Sequence, residues 1–137
     1  MPRTVPLILI VDPDAATLAV CEELLQRVGY ATVACQAARE AQRHIDMDRP
    51  DLLLVELDLE WYDAGWDLMC WVWQGSATAT LPAILCSADR PRLQAWKSHR
   101  QAGPCQILAK PFSADQLWIA VATALTLAPL RSRAVGE

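Results

Sequence analysis

The chain has 137 residues, 53% of them hydrophobic and 20% charged, with a formal net charge of −4. That length suits one domain with one core, burying roughly two thirds of the surface of the unfolded chain. The acidic balance excludes a binder driven by nucleic-acid phosphates, and no apolar run reaches the roughly 18 residues of a membrane span.

In chain order, LILIV (7–11) reads as a strand covered on both faces. DAATLAVCEELLQRVG (14–29) reads as a helix, because Leu18, Cys21, Leu25 and Val28 recur at three- and four-residue spacing and Gly29 is a fitting stop. YATVAC (30–35) is the second strand, and AAREAQRHIDM (37–47) the second helix, closed by Pro50. DLLLVE (51–56) is the third strand and GWDLMCWVWQG (65–75) the third helix. LPAILCS (81–87) is the fourth strand, and PRLQAWKSHRQAG (91–103) the fourth helix with Gly103 as its stop. CQILA (105–109) is the fifth strand, and SADQLWIAVATALTLA (113–128) the fifth helix with Ser113 as N-cap. The domain therefore spans about residues 5–128, and PLRSRAVGE (129–137) reads as a frayed tail or linker. Strands and helices in alternation predict an α/β fold, a single doubly wound five-stranded parallel sheet.

The five cysteines, Cys21, Cys35, Cys70, Cys86 and Cys105, are odd in number and form no CxxC pair. They are expected to be small buried hydrophobes in a reducing cytosol, with a disulfide or metal cluster the minor reading. The opening MPRTVPLILIVD has too short an apolar run for a signal peptide. The expected location is cytoplasmic.

Polar residues fall in one repeated place. Asp12 follows the first strand, Glu56 ends the third, Ser87 ends the fourth and Lys110 follows the fifth. In open α/β sheets the carboxyl edge is where ligands and chemistry sit. Each residue has a plain alternative: Asp12 and Asp14 as helix caps, Ser87 as a loop hydroxyl, Lys110 and Glu56 as solvated charges. Their coincidence at one edge favours a common site.

The motifs ILIVDPDA, PDLLLVELDL, ILCSA and LAKPF, with GYATVACQAAREAQRHI between them, resemble the receiver domains of two-component response regulators, over about residues 5–128. The resemblance implies a flavodoxin-like (βα)5 fold with strand order 2-1-3-4-5. It also implies a phosphoryl group taken from a histidine kinase onto an aspartate ending the third strand, and Mg²⁺ held by two acids after the first. A Ser or Thr and the lysine would contact the phosphoryl oxygens, and an aromatic residue in the fifth strand would change rotamer. Carried onto this chain, Asp12 matches the first acid, Ser87 the hydroxyl and Lys110 the lysine. Three positions depart. The acceptor place holds Glu56, the second metal acid is replaced by Pro13, and the switch aromatic falls at Ile107. The loop EWYDAG is also one residue longer than usual and lacks the customary Pro.

These departures have physical consequences. Mg²⁺ demands near-octahedral oxygen ligands and dehydrates reluctantly. Proline offers it no side-chain oxygen, and Asp14 is better placed to start the helix. No cofactor is therefore expected, and Mg²⁺ binding is expected to be weak or absent. Glutamate carries its carboxylate one methylene further out, and about 1 Å of displacement can cost roughly a hundredfold in transfer. The longer side chain instead carries charge toward Lys110 and Ser87, where it would imitate part of the phosphorylated state at about −1 in place of about −2. Asp58 is expected to be an exposed loop acid, with a cryptic acceptor role as the lesser reading.

Trp61, Trp66, Trp71 and Trp73 crowd the third helix and the loop before it, with Trp96 and Trp118 further on. Trp66, Met69 and Trp73 share a helical face, while Trp71 points elsewhere. Core packing and a partner or homodimer surface both suit this cluster.

The sequence therefore predicts a module that is no enzyme and takes no small-molecule substrate. It would act by protein–protein binding to a histidine kinase or downstream effector, without phosphorylation. A working phosphoacceptor with a Mg-poor pocket is the alternative. A flavodoxin-type cofactor binder is disfavoured, because DPDAAT makes a poor phosphate loop.

Overall fold

The computed structural model describes residues 4–128. Its elements run β1 (Leu7–Val11), α1 (Ala15–Arg27), β2 (Ala31–Cys35), α2 (Ala38–Asp48), β3 (Leu52–Glu56), α3 (Ala64–Gln74), β4 (Ala83–Ser87), α4 (Arg90–Lys97), β5 (Cys105–Ala109) and α5 (Ala114–Leu127). The strands form one parallel sheet in the order β2-β1-β3-β4-β5. The tail, 129–137, lies outside the described residues.

The strands are nearly unbroken apolar runs because helices cover both faces of the sheet. Residues alternate between two cores, as the strand pleat requires. Leu9, Val11, Leu53, Val55 and Leu85 face one core, with Ile45, Met69, Val72, Trp73 and Leu93 packed on them from α2, α3 and α4. Ile8, Ile10, Leu52, Leu54, Ile84 and Leu108 face the other, covered by Leu18, Cys21 and Leu25 of α1 and Leu117 and Val121 of α5. β1, β3 and β4 are central and almost wholly buried, while the edge strands β2 and β5 are half-covered.

Local chemistry sets the helix ends. Asp14 caps α1 through the Thr17 amide, and Asp89 caps α4 through the Arg92 amide. Ser113 and Gln116 form a capping box at α5. Gly29 follows α1 at φ +98°, a left-handed turn that glycine takes freely. α4 is shorter than the sequence pattern predicts. It stops at Lys97 with Ser98 as C-cap, so Gly103 is not its stop. Gly103 instead passes under Trp73, where a Cβ would come within 2.6 Å of the indole.

The tryptophans divide between core and surface. Trp66 and Trp73 are buried, while Trp61 and Trp71 are about half exposed at 53% and 43%. The Trp73 Nε1–H donates to the Leu81 carbonyl at 2.9 Å, which satisfies its one polar atom inside the core. All five cysteines are free thiols. Cys21, Cys35 and Cys86 are buried, but Cys70 and Cys105 are only partly covered, less than the sequence reading expects. No described helix is long and apolar enough to cross a membrane.

Candidate functional site

Asp12, Glu56 and Lys110 come together at the carboxyl edge of the sheet because they share a strand parity. Ile10 precedes Asp12 by two residues, Leu54 precedes Glu56 and Leu108 precedes Lys110, and all three apolar residues face the α1–α5 core. Side chains two apart on a strand share a face, so the three charged heads emerge on that side. Register does the rest: Val11 pairs with Val55, which sets Asp12 beside Glu56.

The Lys110 ammonium lies between the two acids. Its Nζ donates to Asp12 Oδ2 at 2.5 Å and to Glu56 Oε1 at 2.7 Å. Asp12 is buried and the Glu56 side chain is 12% exposed. Burial works against the charged lysine, but the bonds to Asp12 and Glu56 outweigh it and raise the Lys110 pKa above its ordinary value. Cys21 and Cys86 line the floor of the same small pocket with Ile10, Leu54 and Phe112. Burial pushes the Cys21 thiol up to about 11 and the Cys86 thiol well above its usual range, so both stay protonated.

The remaining carboxylate oxygens are spent on turning the chain. Asp12 Oδ1 accepts the Asp14 amide at 2.9 Å, and Glu56 Oε2 accepts the Asp58 amide at 3.1 Å. Ser87 Oγ accepts the Asp89 amide at 3.0 Å in the same two-residue pattern. Three of the five strands, β1, β3 and β4, thus close on a side chain that accepts the amide two residues further on.

Other residues singled out in the sequence are bonded elsewhere than to the ammonium. Ser87 follows Leu85, which faces the opposite core, so its hydroxyl starts the α4 turn; the expectation that Glu56 reaches Ser87 gives way to this parity. Asp14 is an exposed cap at the rim: its Oδ2 accepts the Thr17 hydroxyl at 2.6 Å, which holds its carboxyl below the usual range. Ile107 packs against the core on the α4 side. Asp58 is no free loop acid, since it is paired with Arg92.

Sequence reasoning missed Arg92, Asp63 and Glu60. Glu60 reaches back to the Ala38 amide at 2.8 Å and so caps α2, whose own N-cap, Ala37, has no side-chain acceptor. Gly65 seats α3 directly on β3: a Cβ there would stand 2.1 Å from the Glu56 carbonyl oxygen. None of these residues carries a local motif, and their partners are distant in the chain.

The sequence matches the model of the response regulator receiver domain over residues 8–122. The chain belongs to this family. Among solved structures, the receiver domain is similar to a protein of Chloroflexus aurantiacus assigned as a response regulator. That match has 28% identity and a TM-score of 0.81, and covers 90% of this chain and 99% of the other. It is also similar to the signal receiver domain of a signal transduction histidine kinase from Syntrophus aciditrophicus, with 25% identity, a TM-score of 0.78 and coverage of 89% and 91%. A chemotaxis response regulator of Vibrio cholerae shares the fold, with 19% identity, a TM-score of 0.80 and coverage of 89% and 100%. No curated protein is similar enough to count as a relative. The receiver domain is a signalling module of two-component systems, and the five-stranded 2-1-3-4-5 sheet is that family's flavodoxin-like fold.

Proposed function

We propose that this receiver domain is an atypical one, which signals through protein partners without carrying a phosphoryl group. The observation that carries the reading is the Lys110 ammonium, bonded at once to Asp12 and Glu56. Glu56 stands where the family places its acceptor aspartate, and its longer stem brings the carboxylate to the lysine. The Glu56 carboxylate gives the ammonium, in permanent form, a negatively charged acceptor of the kind that a phosphoryl oxygen would bring.

The residues present do not fit Mg²⁺. Both oxygens of Asp12 and both of Glu56 already accept an N–H. Pro13 has no side-chain oxygen to offer, its carbonyl accepts from Gln36 Nε2 at 3.0 Å, and Asp14 faces Thr17. An ion seeking about six oxygen ligands would have to displace the ammonium and break two loop turns. Phosphoryl transfer in this family rests on that ion to neutralise developing charge, so a Mg-poor pocket argues against the alternative of a working phosphoacceptor. Partners of the family's kind, a histidine kinase or a downstream effector, would read a surface already set.

The test is direct. Incubation with a small-molecule phosphodonor and millimolar Mg²⁺, followed by intact mass, is expected to leave the mass unchanged. A stable gain of one phosphoryl group on Glu56 or Asp58 overturns the proposal.

A further inference from the structure

α4 is a helix that cannot hold itself. It has 8 residues and buries only Leu93, and isolated helices below about 12–15 residues are marginal in water. Something else must fix its position, and Arg92 in its first turn does so. The guanidinium is largely buried, with the side chain 11% exposed. Nη1 donates to Asp58 Oδ2 at 3.0 Å and Nη2 to Asp58 Oδ1 at 2.5 Å, a fork on one carboxylate. Nε donates to Asp63 Oδ1 at 2.9 Å, and Nη2 reaches the same oxygen. The Tyr62 ring covers the guanidinium carbon at 3.8 Å.

The loop between β3 and α3 is shaped by the same contact. Asp63 adopts φ +63°, a left-handed conformation that is uncommon outside glycine. Its amide donates to Asp58 Oδ1 at 2.9 Å. Its carboxylate oxygen accepts Trp96 Nε1 at 3.1 Å as well as Arg92, so two side chains of α4 hold a strained residue of the loop. Trp96 in turn stacks on Trp66 of α3, with centroids 4.3 Å apart and planes at 13°. Strain of this kind persists only where surroundings over-determine it, and here the surroundings belong to α4.

We propose that Arg92 is a latch. It closes α4 onto the β3–α3 loop, and opening it frees helix and loop together while the sheet stays folded. The latch is independent of the Lys110 pair and stands whether or not a phosphoryl group is ever carried. It meets the Lys110 pair through the Asp58 amide that it steadies, the donor to Glu56 Oε2. Its opening therefore relays motion between the sheet edge and α4 through a backbone turn, with no aromatic rotamer change in β5.

Hydrogen exchange read by mass spectrometry tests the latch in the intact chain, comparing wild type with Arg92→Gln and Asp63→Asn. Peptides covering 58–64 and 90–97 are expected to exchange at least about tenfold faster in both variants, with β1, β3 and β4 unchanged. The near-ultraviolet signal of the stacked Trp66–Trp96 pair is expected to fall in step. Unchanged exchange in α4, or acceleration of helix without loop, overturns the proposal. Should Arg92→Gln unfold throughout, Asp63→Asn decides by the same readout, because it keeps the shape and leaves Asp58 on the guanidinium.

Discussion

With its ammonium between Asp12 and Glu56, Lys110 is, among the described residues, the positive charge paired with two largely buried negative ones. Lys110→Met keeps the bulk of the stem and leaves both carboxylates facing each other unpaired. Breaking a buried pair from one side costs about 3–5 kcal/mol, so the urea midpoint is expected to fall by that equivalent with an unchanged slope. The pH dependence has a definite sign. The folded state raises the Lys110 pKa, so the stabilisation is complete below the unfolded value of about 10.4 and drains as pH rises through the higher folded value. An alkaline unfolding series should show this loss in wild type and not in the Met variant. Asp58 runs the other way. The hydrogen bond from Arg92 lowers its pKa, so its share is present above the ordinary value of about 3.9 and is lost as pH falls through the lowered one. Arg92→Gln is expected to remove that acid limb from the unfolding profile.

Helices seat on the sheet through close approaches as much as through apolar area. Gly65 lets the first turn of α3 sit on the Glu56 carbonyl. Gly65→Ala puts a methyl group against backbone that cannot rotate away, at a cost of about 3 kcal/mol, the upper end of ordinary overpacking. Because the displaced carbonyl belongs to Glu56, the variant is expected to disturb the Lys110 pair too, visible as a changed alkaline limb. Ser113→Ala removes one half of a capping box and is expected to cost only about 1 kcal/mol, with thermal unfolding as the check. Element boundaries were legible where caps are local. Asp14, Gly29 and Ser113 announce their helices in the sequence. The end of α4 was not legible, because RLQAWKSHRQ keeps helix-forming residues past Lys97. It ends at Ser98, and further on Gly103 runs beneath Trp73, a close approach between residues thirty apart in the chain that no local pattern announces.

The molecule as a whole behaves as a sheet with two cores and one charged rim. A ligand that binds the native state alone stabilises it in proportion to the logarithm of its concentration over its dissociation constant. Millimolar Mg²⁺ is therefore expected to leave the midpoint temperature and the Trp fluorescence of this receiver domain unmoved, while a clear rise would contradict a rim closed by Lys110. The half-exposed Trp61 lies in the loop that Arg92 holds, and the half-exposed Trp71 on α3. Trp61 is itself tied to α3 by its Nε1–H on Asp67 at 2.9 Å.

The order of elements, the two-sided burial of the sheet and the gathering of Asp12, Glu56 and Lys110 at one edge were all readable from the chain alone. Each follows from patterns that repeat within a few residues: apolar runs, helical spacing, and a polar residue closing four of the five strands. Which of those polar residues touch was settled by the pleat and the register, which place Lys110 on Asp12 and Glu56 and turn Ser87 to the other face. The fork of Arg92 on Asp58 and Asp63 left no trace in the chain, because its partners are about thirty residues away and are brought together only when the loop and α4 pack on the same core.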